Sequence, residues 1–209
     1  MLPTPQMTLF HSPTSPFARK VRIAMLERGL QDHVTEVIAQ IRTPLNEVIP
    51  YSATGKIPAL SVEDGPDKGL VLVESTTICD YLDQFGGAPP MQPANGPAHW
   101  QEKALDGYAH AFLDSIAWRG REGKRPSDEQ SPGFVALEME RQRRCFADLE
   151  ARVDELAAEE ITLSRILFAI SLDFFEYRIG EDWRPGRQRL AQWHAGMAAR
   201  PSFQATVPW

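Results

Sequence analysis

Met7-Thr8-Leu9-Phe10-His11-Ser12-Pro13-Thr14-Ser15-Pro16-Phe17 is the stretch whose reading decides the fold. Met7 to His11 reads as a short strand, and a turn then leads into a helix. Ser15 stands where an N-cap belongs and Pro16 where the first helical residue belongs; Val21, Ile23, Ala24 and Leu26 follow as an apolar stripe. The first N–H groups of a helix lack intrahelical partners and mark the positive end of its dipole. Ser15 therefore faces a place that favours an anion such as a thiolate.

Two further stretches work outward from this one. In Gly55-Lys56-Ile57-Pro58-Ala59-Leu60, a proline interrupts what reads as a strand from Ile57 to Val62, where it cannot donate to a ladder. It marks an edge or a special turn. A cis Ile57-Pro58 bond would turn the Ile57 N–H and C=O outward to pair with an extended peptide. Glu74-Ser75 then opens an apolar helix through Thr76, Thr77, Ile78, Tyr81 and Leu82. Ser75 is the expected N-cap, able with nearby amides to hold a carboxylate, and Glu74 is placed to hold an ammonium. A backbone clamp with one carboxylate site and one ammonium site describes a tripeptide-binding site.

Gly86-Gly87-Ala88-Pro89-Pro90-Met91-Gln92-Pro93-Ala94-Asn95-Gly96-Pro97 is too rich in proline and glycine for an element interior, so it divides the chain. Residues 7–85 alternate strand-like pieces (Met7 to His11, His33 to Ile38, Ile57 to Val62, Leu70 to Val73) with helices, a mixed α/β sheet. Residues 86–97 are the linker. Residues 98–209 read as all-helical: about Ala98 to Arg119, Phe134 to Ala157, Leu163 to Tyr177 and Pro185 to Ala199, the third apolar nearly all round and expected at the centre. The first carries Trp100, Ala104, Tyr108, Phe112 and Ile116 at steps of four.

With 209 residues, 43% of them apolar, the chain is long enough for one large or two small domains. Cys79 and Cys145 lie far apart, with no Cys-x-x-Cys and no histidine spacing for zinc, so no metal site is expected. A net charge of −6 argues against a general nucleic-acid binder. No apolar run reaches membrane-spanning length, and Met1 to Gln6 lacks the features of a signal peptide. A cytoplasmic location is the expectation.

The ordered set Ser15-Pro16-Phe17, Gly55-Lys56-Ile57-Pro58 and Glu74-Ser75 resembles the glutathione S-transferase family, of the bacterial sort with a Ser-Pro-Phe helix start. The resemblance runs from Met7 to Trp209. It implies an N-terminal thioredoxin-like domain with a cis proline at Pro58 and a C-terminal helical bundle. It also implies a catalytic hydroxyl at Ser15, a backbone clamp at Ile57, and Glu74 and Ser75 on the γ-glutamyl group. Lys56 or Arg42 would meet the glycyl carboxylate. Ser12 and Thr14 are rivals to Ser15. The implied activity is conjugation of glutathione, a co-substrate, to a small hydrophobic electrophile, a detoxification chemistry that needs no resident cofactor. Its pocket is expected between the domains, with Tyr108, Phe112 and Trp118 as candidate walls.

Two other functions fit the same resemblance. A glutathione-dependent peroxidase or thiol oxidoreductase would share the site, although an oxidoreductase normally has a cysteine near position 15. A module resembling stringent starvation proteins would use the fold to bind the transcription machinery. The resemblance also implies a homodimer, with Phe134, Leu137 and Phe146 flanked by Glu138, Glu140, Arg141, Arg143 and Arg144 as a candidate face. In one place the chain departs from the family. The central helix usually starts with a Ser/Thr-x-x-Asp capping box, and here the sequence is Thr162-Leu163-Ser164-Arg165. Thr162 can still cap, but Arg165 brings positive charge to a positive helix end unless Glu159 or Glu160 pairs with it.

Overall fold

The computed structural model describes residues 3–44, 46–157 and 160–207. The chain divides into two compact units, one of Met1–Gln92 with Pro201–Trp209 and the other Pro93–Arg200.

The first unit carries β1 (Met7–His11), α1 (Pro16–Glu27), β2 (Val34–Ile38), β3 (Ala59–Val62), β4 (Val71–Val73) and α2 (Ser75–Leu82). The sheet order is β2-β1-β3-β4, with β1 parallel to β2 and antiparallel to β3, and β3 antiparallel to β4. This is the expected mixed sheet of a thioredoxin-like domain, and the Ile57-Pro58 bond is cis. Strand β3 starts at Ala59, after the residue that has no N–H to donate. All four of its residues are buried, and α1 packs against α2.

The segment after Pro201 returns to this unit, which differs from the expected helical domain of 98–209. Arg19, buried in α1, donates to the Phe203 carbonyl and the Thr206 hydroxyl, each at 3.4 Å. Its guanidinium lies 5.4 Å from the Phe203 ring centre, in α8 (Pro201–Gln204). A buried arginine needs such acceptors, and the tail supplies them.

The second unit is helical: α3 (Gly96–Glu122), α4 (Pro132–Ala151), α5 (Val153–Leu156), α6 (Leu163–Ile179) and α7 (Gln188–Ala198). The single helix expected over 134–157 breaks at Arg152, whose φ of −103° and ψ of 14° leave the helical basin. Helix α6 is central, as its all-round apolar composition requires, and packs most extensively on α3. Phe146 of α4 is the aromatic hub of this unit, edge-on to Phe112 at 5.2 Å and to Phe175 at 4.9 Å, and stacked on Trp183. Phe146 and Glu138 are therefore interior, not parts of an exposed dimer face.

The stripe expected on α3 holds only toward its C-terminal end. Trp100 is 70% exposed and Ala104 is exposed, while Glu102 and Asp106 are buried instead. Glu102 explains how the missing capping box is replaced. Its carboxylate accepts the Ser164 N–H at 2.8 Å and the Ser164 hydroxyl at 2.9 Å, satisfying the first turn of α6 from another helix. Thr162 accepts the Arg165 N–H at 3.4 Å, as expected of a cap. Arg165 turns away to the main-chain carbonyls of Glu155 and Glu160. Glu159 lies outside the described residues.

Removing a buried charged acceptor from two donors should be costly. Glu102→Ala is expected to lower the unfolding free energy by about 2–3 kcal/mol, and Ser164→Ala by about half as much, in urea titrations followed by helical circular dichroism. Equal, small effects would show that the cap contributes little.

Candidate functional site

Strand register brings the sequence motifs to one end of the sheet. Phe10 pairs with Ala59, so continuing the register puts His11 opposite Pro58 and Ser12 opposite Ile57. Ala59 also pairs with Val73, which puts Glu74 opposite Pro58. Because His11 lies beside Ile38 in the parallel pair, the segment carrying Arg42 leaves from the same end. Helices α1 and α2 both begin there.

Ser15 caps α1. A turn closed by its N–H on the Ser12 carbonyl at 3.1 Å, with Pro13 at the second position, delivers it. Its φ of −84° and ψ of 117° are those of a cap, and its Oγ accepts the Ala18 N–H at 3.2 Å. A hydroxyl that accepts still has its own proton to donate. Ser15 is thus a half-buried donor at a helix N-terminus. The rival hydroxyls of Ser12 and Thr14 are 3.4 Å apart and bond each other. Behind this loop, His11 is buried with Nε2 3.1 Å from Glu36, which also pairs with Arg22 of α1. Burial holds the imidazole pKa below its ordinary value, against the opposing pull of Glu36.

Ile57 is half-buried against Phe10, Ala39, Val48 and Ala59. Neither its N–H nor its C=O has a hydrogen-bond partner among the described residues, the condition a backbone clamp needs. The loop leading to it is built by Asn46, whose side-chain oxygen accepts the Val48 and Ile49 N–H groups and whose amide donates to the Gly55 carbonyl at 3.3 Å. Gly55 sits at φ +57°, and a Cβ there would lie 2.9 Å from the Asn46 amide nitrogen. The Asn46–Gly55 support is absent from the sequence reading; Asn nine residues before Gly is no local signal.

At α2 the structure shifts the expected cap by one residue. Glu74 holds the N-cap position and Ser75 is the first helical residue. Glu74 has φ 71° and ψ 126°, the one positive φ among the described non-glycine residues, and its side chain is exposed. Such a backbone costs of order 1–3 kcal/mol and collects at functional sites. The Ser75 side chain is buried, and its Oγ has no hydrogen-bond partner among the described residues. Arg42 and Lys56 are exposed on the surrounding loops.

The three aromatics of α3 do not form one wall. Phe112 has no exposed surface and belongs to the helical core, while Trp118, six residues on, lies about 120° round the helix and is 44% exposed. Tyr108 is half-buried, edge-on to Phe168 at 5.3 Å, and donates to the Cys145 carbonyl at 3.4 Å; burial pushes its phenol pKa far up. Neither Cys79 nor Cys145 is in a disulfide. Among the described residues no three His, Cys, Asp or Glu side chains are grouped to hold a metal, and no helix is long and apolar enough to cross a membrane.

Comparison with known proteins identifies the family of this fold. Residues 9–90 match the model of the glutathione S-transferase N-terminal domain. A glutathione transferase family member from Pseudomonas fluorescens Pf-5 has been solved with bound glutathione (31% identity, TM-score 0.88) and with bound S-(propanoic acid)-glutathione (32%, 0.86). Each alignment covers 98% of this chain and 100% of that one. The uncharacterized GST-like protein YibF of Escherichia coli K12 is 26% identical over 97% of this chain and 98% of its own. A stringent starvation protein A homolog from Pasteurella multocida is 34% identical over 47% of this chain and 43% of its own. The chain belongs to the glutathione S-transferase family.

The strain at Glu74 gives a test of site against stability. Glu74→Gly is expected to raise the unfolding free energy by about 1 kcal/mol while weakening glutathione binding, read by thermal melts and calorimetry on the same samples. A loss of stability would mean that the Glu74 backbone is not strained.

Proposed function

We propose that this protein is a glutathione transferase that joins the glutathione thiolate to a small hydrophobic electrophile. The observation that carries this reading is the convergence, at one sheet end, of a donor-ready Ser15, an unpaired Ile57 backbone and an unpartnered buried Ser75 hydroxyl beside a strained Glu74. These groups match the thiol, the cysteinyl backbone and the γ-glutamyl zwitterion of the tripeptide in turn. Arg42 or Lys56 would meet its glycyl carboxylate.

A free thiol with a pKa of about 8.5 is only about 3% ionised at pH 7. A hydrogen bond from Ser15, added to the N-terminal field of α1, supplies roughly 2.7 kcal/mol if it brings the pKa to about 6.5. The thiolate then rises at most about thirtyfold, so holding the electrophile beside the sulfur must supply much of the acceleration. The sulfur lone pair forms a carbon–sulfur bond as the leaving group departs, or as the electron pair of an activated double bond moves away and is protonated. Tyr108 and Trp118 are the proposed electrophile contacts on α3, through their rings, since the Tyr108 hydroxyl proton is already given to the Cys145 carbonyl.

A cytoplasmic detoxification role follows from this chemistry. Reduction of organic hydroperoxides through the same bound thiolate is compatible with it, whereas disulfide exchange lacks a cysteine in the Ser12–Ser15 loop. A purely protein-binding role of the stringent-starvation type predicts no heat with glutathione.

Calorimetry is expected to show micromolar to millimolar glutathione binding that Glu74→Ala and Ser75→Ala weaken. Absence of heat at millimolar glutathione removes the basis of the proposal. Ser15 also caps α1, so two variants separate its roles. Ser15→Asp keeps a capping oxygen but presents a negative charge to the sulfur, and Ser15→Ala loses cap and donor together. Both should lower turnover more than affinity and raise the pKa of the pH–rate profile. An unmoved profile would transfer the role to Ser12, Thr14 or a backbone amide.

The protein is further proposed to be a homodimer. Leu137 and Met139 on α4 are exposed beside a cluster in which Glu140 accepts from Arg143 and Arg144, and those bonds hold the Glu140 carboxyl down at about 2. Light scattering should give twice 23.5 kDa, and Leu137→Glu should return the monomer. A monomeric parent protein sinks the proposal, and an undisturbed dimer in the variant moves the interface elsewhere.

A further inference from the structure

We infer that His11 is a positioning residue of the thiol site: as a neutral imidazole with its proton on Nε2, it braces the end of β1 against Glu36 and so sets where the next turn holds the Ser15 hydroxyl. This rests on the proposed reading of Ser15 as the donor to a glutathione thiol. His11 is the last residue of β1 and only 4% exposed. Burying a polar ring is costly unless it makes a bond that matters.

The brace runs through three elements. Nε2 lies 3.1 Å from the Glu36 carboxylate of β2, and the same carboxylate accepts from Arg22 of α1. Arg22 follows Ser15 by seven residues, about two helical turns, so the two stand on one side of α1. From the ring the main chain leads straight into the site. The His11 carbonyl accepts the Ala39 N–H at 2.8 Å, and the carbonyl of the next residue, Ser12, accepts the Ser15 N–H at 3.1 Å. One end of this chain of contacts is anchored on Glu36 and the other delivers the hydroxyl.

Glu36 and Arg22 are the charged groups that face the ring. Burial, with Arg22, holds the imidazole pKa below its ordinary value against Glu36 and the Ser12 main chain, so the ring is neutral near pH 7. A carboxylate at Nε2 fixes the single proton there. Nδ1, buried and without a hydrogen-bond partner among the described residues, is left as a lone pair. In this state the ring supplies one directional bond and no charge. The proposed grip on the tripeptide lies elsewhere, on Ile57, Glu74 and Ser75, so loss of the brace should change the acidity of the thiol and not the hold on the peptide.

Two variants that differ by one methylene isolate the bond. A Gln amide reaches as far as Nε2 and can donate to Glu36, whereas an Asn amide ends at the Nδ1 position and cannot. The bound thiol is titrated by the ultraviolet absorbance of its thiolate. Affinity is measured calorimetrically with S-methylglutathione, which has no thiol to ionise. His11→Asn is expected to raise the bound thiol pKa by about one unit while S-methylglutathione affinity stays within about twofold, and His11→Gln to restore the parental pKa. An unmoved thiol pKa in His11→Asn, no recovery in His11→Gln, or an S-methylglutathione affinity that falls in step with the thiolate would each overturn the inference. In the parent protein, nitrogen NMR should show His11 neutral with its proton on Nε2. An imidazolium or an Nδ1–H ring near neutral pH overturns the inference even where neither variant folds. A parent protein that gives no heat with glutathione defeats the transferase reading and this one with it. A parental thiolate that depends on Ser15 but not on His11 defeats the role of His11 alone.

Discussion

The pairing of β3 with both β1 and β4 is the constraint on which the first unit depends. Ala59 lies opposite Phe10 on one side and Val73 on the other, and a slip of one residue would exchange the two faces of β3, both of which are packed, and so replace every side chain its neighbours meet. The same register sets the chemistry. It decides that the loop after β1, the residues before β3 and the start of α2 share one sheet end, although they lie far apart along the chain.

What is assembled there is mostly backbone. Two helix N-termini, an unpaired peptide unit at Ile57 and a single buried hydroxyl at Ser75 offer donors and acceptors with little side-chain freedom left to lose on binding. Main-chain donors and acceptors of this kind are the groups that pair with another extended backbone. It also explains why support lies behind the site: the Asn46 bonds and Gly55 fix the approach to Ile57, and His11, Glu36 and Arg22 tie β1, β2 and α1 together. Strain at Glu74 persists because a strand on one side and a helix on the other leave its peptide planes no alternative.

The parts legible in the sequence were those set by local rules. Ser15 and Pro16 state a helix start by themselves, and Pro58 announces an interrupted strand. The Glu74–Ser75 pair was legible in place but not in detail, because cap preferences assume an extended N-cap and Glu74 adopts a positive φ. Periodicity failed where a polar residue was buried for a distant partner. Glu102 occupies the inner face of α3 to reach Ser164, so apolar spacing misjudged Trp100; on α4, Glu138 is buried with Arg141, three residues on, as its ion-pair partner, and Phe146 lies in the core instead of on the expected dimer face. The return of the tail to α1 depended on Arg19 finding acceptors 184 and 187 residues away, which no window along the chain contains.

The exchange at the start of α6 shows how a family rule can be broken without loss of the fold. A capping box satisfies a helix end within four residues, but the orphan N–H groups require only an acceptor, not a local one. Glu102 meets that requirement from another helix, at the cost of burying a carboxylate whose pKa burial pushes upward against the pull of the Ser164 donors. Once the cap is secured from outside, position 165 no longer has to be acidic. A positive charge there is unfavourable to the helix, and the structure retains it at the rim of a cavity, with its orientation fixed by two carbonyls. The arginine instead ties the Glu155 carbonyl of α5 and the loop carbonyl of Glu160 to the start of α6, contacts that offset what its charge takes from the helix.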